Sequence, residues 1–440
     1  MDVLNLGMVG GGTVGSGVFH ALQQNGEVLA RRIGVRIQVR KVAVKAVDET
    51  RPYPIPHRFL TTDWRAVVED PEVHLVTELV GGTTVARTIV LTALRLGKPV
   101  ITANKALLSA HGPELFREAE RHGTNLYYEA SVCGGIPIIK ALREGFVGNR
   151  IRALYGIVNG TCNYILTRMA RDRADFPTVL AEAQRQGYAE TPPDLDIDGH
   201  DAQHKTGILA SLAHGTWIPA SRINVEGIRS VTPLDLEFAA QLGYTIKLLG
   251  IVKQLNAPES DEDPTEVQVS VYPALIPSGH VLAGVQGVFN AVFVRGDVVG
   301  DTLFYGQGAG KDATASAVLS DLADAALDVR LGTRRRRPAF VEVPGRIRVV
   351  PMDEIVTRSF VRLSVVDRPG VLARIAAVFG QAKIGIASVI QPEGHTGEVV
   401  PLILMLHEAP DGAVRKALAR IGRLPVVKAP PVRFRVESLS

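Results

Sequence analysis

Short apolar runs alternate with amphipathic stretches over the first third of the chain, and that alternation predicts its architecture. Val3 to Val9 is short and mostly apolar, a glycine cluster follows, and an amphipathic run continues through Leu22. Together they read as strand, tight turn and helix. Further apolar segments at Val35 to Val47, Leu75 to Val80, Val100 to Thr102 and Leu126 to Glu129 alternate with helix-like stretches at Arg87 to Leu96 and Pro113 to Arg121. Such alternation predicts an α/β unit with a parallel, doubly wound sheet.

Beyond Ile136 the pattern mixes strand-like segments, such as Ile151 to Val158 and Val267 to Tyr272, with long helix-like ones such as Asp201 to Leu212. An α+β unit is the expectation. Asn256 to Thr265, with Asp261, Glu262 and Asp263 beside Pro264, reads as a surface loop. After a helix-like run from Lys311 to Ala326, Arg334 to Arg337 and Pro338 mark an exposed connection, with a further strand expected within Val341 to Val350.

From Phe360 a new β-α-β-β-α-β rhythm begins: strand to Val366, helix Gly370 to Phe379, strands Ile384 to Gln391 and Val399 to His407, helix Gly412 to Gly422, and a last strand around Val427. That order predicts a small ferredoxin-like domain. The expected division is residues 1–135, completed by about 306–350, then 136–305, then 356–440.

Composition narrows the class. A chain of 440 residues exceeds one ordinary core, and 46% hydrophobic with 21% charged residues is globular. The net charge of +4 is small for this length and partly sits in the arginine run, so no nucleic-acid partner is expected. Cys133 and Cys162 alone make no disulfide framework or metal-site spacing. A reducing, cytoplasmic setting is expected, with no leader and no apolar run of the roughly 18 residues that span a bilayer.

The stretch VGGGTVGSGV places Gly10, Gly12 and Gly15 in G-x-G-x-x-G spacing, with Thr13 and Val14 inside it, directly after a strand and opening a helix. Glycines there allow the tight turn and let the main chain approach a pyrophosphate seated on the helix N-terminus. The expected fold is therefore Rossmann-type and the cofactor NAD or NADP. At the end of the second strand, KVAVKAVDE puts Lys45 where a ribose-binding acid stands in NAD-preferring sites, with Asp48 and Arg51 slightly later. NADP is favoured and NAD stays open, since Lys45 also reads as a solvent-facing strand residue.

The densest chemistry is QGYAETPPDLDIDGHDAQHK, residues 186–205, which runs into an apolar helix. Asp201 and Lys205 stand one helical turn apart on one face, which a surface ion pair would explain by itself. This stretch closely resembles the signature of the homoserine dehydrogenase family at Ala183, Gly187, Tyr188, Ala189, Glu190, Pro193, Asp196, Ile197, Gly199, Asp201 and Lys205. Pro192 departs from the family pattern, where a small polar or acidic residue is more usual, and is expected to alter the local turn alone. Further family-like segments are ITANKALL with Lys105, YYEASVCGGIPII with Glu129, IVNGTCNYIL with Gly160, Thr161 and Asn163, and GQGAGKDATASAV with Gly310. They extend the resemblance to about Val350.

The resemblance implies an NAD(P)-dependent oxidoreductase that interconverts L-homoserine and L-aspartate 4-semialdehyde in threonine, methionine and isoleucine biosynthesis. Hydride addition to an aldehyde leaves negative charge on oxygen, and a positioned ammonium both stabilises and protonates it. The expected acid is Lys205, oriented by Asp201; Lys105, at the carboxyl edge of the parallel sheet and reaching the nicotinamide region by resemblance, competes for the role. By the same resemblance Glu190, Asp196, Gly160 and Thr161 bind substrate, and Gly310 joins the cofactor site. A sodium or potassium ion is implied at Glu129, Val132, Gly134 and Ile136, held mainly by backbone carbonyls.

RLSVVDRPGVLARIAAVFGQAKIGIASVIQ resembles an ACT domain, with Asp367, Pro369 and Gly370 in its turn and Val371, Leu372, Ile375 and Val378 on an apolar helix face. Such domains pair and bind an amino acid, so threonine feedback is one expectation and oligomerisation alone the other. A homodimer is expected. Two further readings compete: a dehydrogenase of another amino-acid semialdehyde, and a nucleotide-sensing regulator with vestigial catalytic residues. Lys105, Glu190, Asp201 and Lys205 together argue against the second.

Overall fold

Strand β1 (Asp2–Val9) is buried along most of its length, as a central strand covered by helices on both faces must be. The structure, a computed structural model, describes the chain except residues 258–263, 334, 335, 344–346, 393, 394, 396 and 440. The expected loop acids Asp261, Glu262 and Asp263, and Arg334 and Arg335, therefore lie outside the described residues.

Around β1 stand β2 (Val35–Ala43), β3 (Leu60–Thr61), β4 (Leu75–Glu78), β5 (Val100–Thr102) and β6 (Leu126–Tyr127). Every pairing is parallel, in the order β3-β2-β1-β4-β5-β6. The order reverses between β1 and β4, the crevice where such sheets bind ligands beyond their carboxyl ends. The expected doubly wound parallel sheet is present.

The first helix, Thr13–Ile33, runs well past Leu22 and stops at Gly34, whose φ of 70° lets its N–H close on the Ala30 carbonyl. The helix expected to begin at Pro113 begins at Lys105 instead. Asn104 caps it, its side chain accepting from the Leu107 N–H at 3.0 Å, so the proline falls in mid-helix rather than in the first turn. Of the apolar run to Val47 only Val35–Ala43 is strand. After Tyr127 the chain makes a short 3-10 turn over Glu129–Ser131 instead of continuing β6.

The chain divides into two compact units, Met1–Leu154 with Gln203–Ile223 and Phe289–Gly345, and Tyr155–Ala202 with Asn224–Val288 and Arg346–Ser440. In the first, the helix Lys311–Leu331 buries Ala315, Val318 and Leu322 in one core with Leu6, Met8, Val18, Phe19 and Leu75. Each such side chain contributes roughly 1.5–3 kcal/mol. A helix from a distant segment thus packs into the core of the parallel-sheet unit.

In the second unit, Tyr244–Gln254 pairs antiparallel along its whole length with Thr265–Pro277. The ACT portion follows the expected order: strand Val356–Val366, helix Val371–Gln381, strands Ile386–Ile390 and Val399–Pro410, helix Asp411–Ile421. Its core gathers Val361, Leu363, Ile375, Phe379, Leu404 and Val414. Val427 makes one isolated bridge to Val365. The strand expected there is Val432–Val436, which pairs with Val356–Val366 on one side and with Thr265–Pro277 on the other. Leu372, expected on the apolar helix face, is 41% exposed. Of the run expected at Val341 to Val350, the strand is Ile347–Val349.

Candidate functional site

At the carboxyl end of β1 the glycine loop turns into the first helix. Gly10 holds φ at 107°, and a Cβ on Gly15 would stand 2.0 Å from the Gly10 carbonyl oxygen, so neither position accepts a side chain without moving the backbone. Gly12 is the N-cap and provides no side-chain hydrogen bond, Thr13 is exposed and Val14 half-buried. The first N–H groups of the helix are thus left without a capping side chain, the arrangement that receives a phosphate. This cradle, shaped by missing side chains, fits a dinucleotide.

Charged groups surround it. Lys45 is exposed two residues beyond the end of β2, and Asp48 is exposed as well. Arg51 is spent on structure: its guanidinium donates to the carbonyls of Ala46, Val47 and Glu49 at 2.6, 2.9 and 2.7 Å and closes the loop. Gly310, with φ 113°, precedes the helix that starts at Lys311. The Lys311 ammonium donates to the Tyr53 hydroxyl at 2.6 Å and lies 4.2 Å from that ring's centre, while His20 of the first helix stacks on the same ring at 4.0 Å. Gly310 is thereby brought beside the glycine-loop helix.

At the carboxyl ends of β4 and β5, Glu78 is fully buried. It accepts from the Val80 N–H at 3.0 Å and the Thr102 hydroxyl at 2.7 Å, and burial pushes its carboxyl above the ordinary range. Asn104 donates to the Gly82 carbonyl at 2.7 Å. Lys105, half-buried, is the first residue of its helix and is presented by this braced edge.

The carboxylate-rich stretch is organised by a residue outside it. Asn159 caps the helix Gly160–Asp172, its Oδ1 accepting from the Cys162 N–H at 2.8 Å. Its Nδ2 donates to Asp196 Oδ1 at 2.8 Å and to Asp201 Oδ2 at 2.9 Å. One buried amide thus draws two carboxylates to the N-terminus that bears Gly160 and Thr161, where the helix dipole favours negative charge. The Thr161 hydroxyl donates to the Tyr188 carbonyl. Glu190 is exposed, and the peptide bond after Thr191, at the departure Pro192, is cis. Asp201 and Lys205 lie one turn apart on the helix His200–His214 and are only 5% and 8% exposed, which sets them apart from an ordinary surface pair.

In the stretch expected to hold a cation, the Glu129 side chain is engaged by the backbone. That carboxylate accepts from the N–H groups of Ile139 and Lys140 at 2.9 and 2.7 Å, capping a short helix, and burial raises it to about 7. Val132 and Ile136 are buried, and between them Cys133 and Gly134 adopt φ of 56° and 45°, a turn that redirects successive carbonyls. Among the described residues no group of three or more His, Cys, Asp or Glu could hold a metal ion.

In the ACT portion a cavity of about 400 Å³ opens at the expected turn, lined among others by Asp367, Arg368, Gly370, Leu372 and Gln391. Gln391 donates to Asp367 at 3.0 Å across it. This accounts for the exposed Leu372.

Sequence reasoning missed Asn159, Glu78 and Asn104. Asn before Gly-Thr at a helix start is an N-cap signal, and it was available for Asn159. That its amide would join two acids 37 and 42 positions later was not.

The fold and the site define a Rossmann-type nucleotide-binding protein with an α+β partner unit and a C-terminal ACT domain. Among the described residues no helix is long and apolar enough to cross a membrane. The family described as Homoserine dehydrogenase, NAD binding domain, matches residues 10–129, Homoserine dehydrogenase matches 137–323, and ACT domain matches 359–423. The homoserine dehydrogenase of Pseudomonas aeruginosa is 40% identical, with 100% of each chain covered. A solved homoserine dehydrogenase from Thiobacillus denitrificans superposes with a TM-score of 0.91 at 41% identity, covering 100% of this chain and 99% of that one. A hyperthermophilic archaeal homoserine dehydrogenase in complex with NADPH gives a TM-score of 0.61 at 25% identity, over 74% of this chain and 98% of that one. The chain belongs to the homoserine dehydrogenase family, and it is an oxidoreductase with an NAD(P)-binding domain.

Proposed function

We propose that the chain interconverts L-homoserine and L-aspartate 4-semialdehyde with NADP preferred over NAD, in the biosynthesis of threonine, methionine and isoleucine. The observation that carries this reading is the pairing of half-buried Asp196 and buried Asp201 on buried Asn159, with buried Lys205 one turn further along the helix of Asp201.

A reduced nicotinamide, when bound, supplies the hydride. The chain's own groups do the rest: the Lys205 ammonium stabilises the developing alkoxide and gives it a proton, and takes the proton back in the oxidation direction. Asp201 keeps that lysine charged and oriented, Glu190 takes the substrate α-ammonium, and Asp196, Gly160 and Thr161 fix the remaining polar groups. Gly10, Gly12, Thr13, Val14 and Gly15 hold the pyrophosphate, Gly310 and Lys105 the nicotinamide end. Exposed Lys45, with no carboxylate before Asp48, suits a 2′-phosphate. The archaeal relative's NADPH supports the same preference.

A sodium or potassium ion at the 129–136 turn would take backbone carbonyls, since the Glu129 carboxylate is committed to N–H groups. Threonine in the ACT cavity would act as feedback inhibitor. The working form is a cytoplasmic homodimer, organised as residues 1–135 with 306–350, 136–305 and 356–440.

The test is absorbance at the reduced-nicotinamide band with L-homoserine, NAD or NADP, in sodium and in potassium buffers, with and without L-threonine. Homoserine-dependent reduction that is faster with NADP supports the reading. Silence with both cofactors, in protein that binds them, overturns it. Equal rates with and without saturating threonine remove the feedback part alone.

A further inference from the structure

Two arginines of the C-terminal portion grip a segment that backs the carboxylate-rich loop. Arg435, on the strand Val432–Val436, is 2% exposed. Its Nη1 and Nη2 donate to the Glu226 carboxylate at 2.9 and 2.8 Å, and its Nε donates to Asp411 at 2.7 Å. The guanidinium also lies 4.5 Å from the centre of the Tyr272 ring, whose hydroxyl donates to Glu437 at 2.7 Å. Arg362, on the strand Val356–Val366, donates to both oxygens of fully buried Asp235 at 2.6 and 3.1 Å. Residues 226–235 are therefore held at both ends by side chains of the ACT portion. Planar guanidinium forks of this kind fix geometry as well as charge.

On its other side the same segment touches the loop of Asp196 without spare room. The Ile228 N–H donates to the Ile197 carbonyl at 2.9 Å. A Cβ on Gly227 would lie 2.2 Å from that carbonyl oxygen and 2.5 Å from the Asp198 Cα, so the two backbones are in direct contact. Arg229 donates to Asp198 at 3.0 Å and also pairs with Asp194. Whatever moves residues 226–229 must move residues 194–199, because packed backbones cannot absorb the displacement.

We propose that Arg435 is a positioning residue for substrate binding: by holding Glu226 to the ACT portion it sets the placement of Asp196 and Asp201. The inference rests on reading residues 190–205 as the substrate site. It also gives the ACT cavity a route to that site. The strand of Arg362 ends at Val365 and Val366, which line the cavity, and Arg435 pairs with Ser359 of that same strand. A ligand that shifts this strand would act on both arginines, and the response would be in affinity for homoserine rather than in the hydride step.

The experiment compares, in the whole chain, Arg435→Met, Arg435→Lys and Glu226→Gln with Val414→Ala, which opens a cavity in the ACT core one helical turn from Asp411 but removes none of the hydrogen-bonding groups of this network. KM for L-homoserine, KM for NADP, kcat and Tm are measured for each. Arg435→Met is expected to raise KM for homoserine about tenfold or more with KM for NADP within twofold, Arg435→Lys to restore part of the loss, and Val414→Ala to lower Tm alone. If Arg435→Met does not fold, half-exposed Glu226→Gln carries the same expectation. An unchanged homoserine KM in a folded variant overturns the proposal, and so does an equal rise in Val414→Ala. A Glu190→Gln variant with unaltered homoserine KM would instead overturn the placement of the substrate site.

Discussion

The glycine loop and the carboxylate-rich loop, the two sites proposed for cofactor and substrate, are built by opposite means. At Gly10 to Gly15 the ligand's place is made by removing side chains, so that bare N–H groups face outward from the helix start. At Asp196 and Asp201 side chains are crowded together and held by an amide from elsewhere in the chain. A backbone site needs only local spacing, and it tolerates almost no added atoms. A side-chain site tolerates more change in volume, but it depends on partners far away in sequence.

The sharpest test of that contrast is Lys205→Ala. Loss of a positioned proton donor is expected to lower kcat by about 10²- to 10⁴-fold while KM for the cofactor stays near normal, because the group acts on developing charge and not on the nucleotide. Near-normal turnover would move the acid role to Lys105. Next in size is Gly15→Ala, which adds one carbon where the Gly10 carbonyl oxygen is 2.0 Å away. A displacement costing about 1–3 kcal/mol would weaken cofactor binding roughly ten- to hundredfold. Isothermal titration with NADP checks it, and tight binding by this variant would show that the loop is less closely packed than its geometry requires.

A smaller effect is expected at the ribose end. Lys45 is exposed, so solvent discounts whatever it contributes. Lys45→Ala should reduce the NADP-to-NAD ratio of kcat/KM by about two- to fivefold, with the NAD rate unaltered. Equal losses with both cofactors would assign the lysine to general electrostatics instead of to the 2′-phosphate.

The same contrast explains what could be read in advance. Gly10, Gly12 and Gly15, the alternation of β1, β2, β4 and β5 with helices, and the ACT order were legible because each is a pattern within a few dozen residues, whereas the two-residue β3 was too short to show. Pro113 misled because it was read as opening a helix, whereas the Asn104 side chain had already opened it eight residues earlier, at Lys105. The last ACT strand was misplaced at Val427 because an apolar pair there looked like strand, while the actual ladder includes Arg433 and Arg435, which read as polar. The link of Arg435 to Glu226 spans 209 positions. No local pattern announces it, since an arginine in a strand reads as solvent-facing until its partners are placed.

Lys247 extends that lesson to stability. It is 3% exposed, donates to Asn163 Oδ1 at 3.0 Å and to the Val285 carbonyl, and so ties the helix of Gly160 and Thr161 to the 285–287 loop. Its acceptors are uncharged, and burial lowers its ammonium to about 8. In the unfolded chain a lysine titrates near 10.4. Between about 8 and 10.4 the unfolded chain binds a proton that the native state has released, so this group's contribution to stability rises with pH across that window and is flat below it. The full swing is at most roughly 3 kcal/mol. Denaturant unfolding of the wild type and Lys247→Met at pH 7.5 and 9.5 isolates it, because every other group titrates alike in both. The wild type should gain on the variant as pH rises; a difference that stays constant would mean that Lys247 keeps its charge throughout, shielded by its two acceptors more completely than burial alone allows.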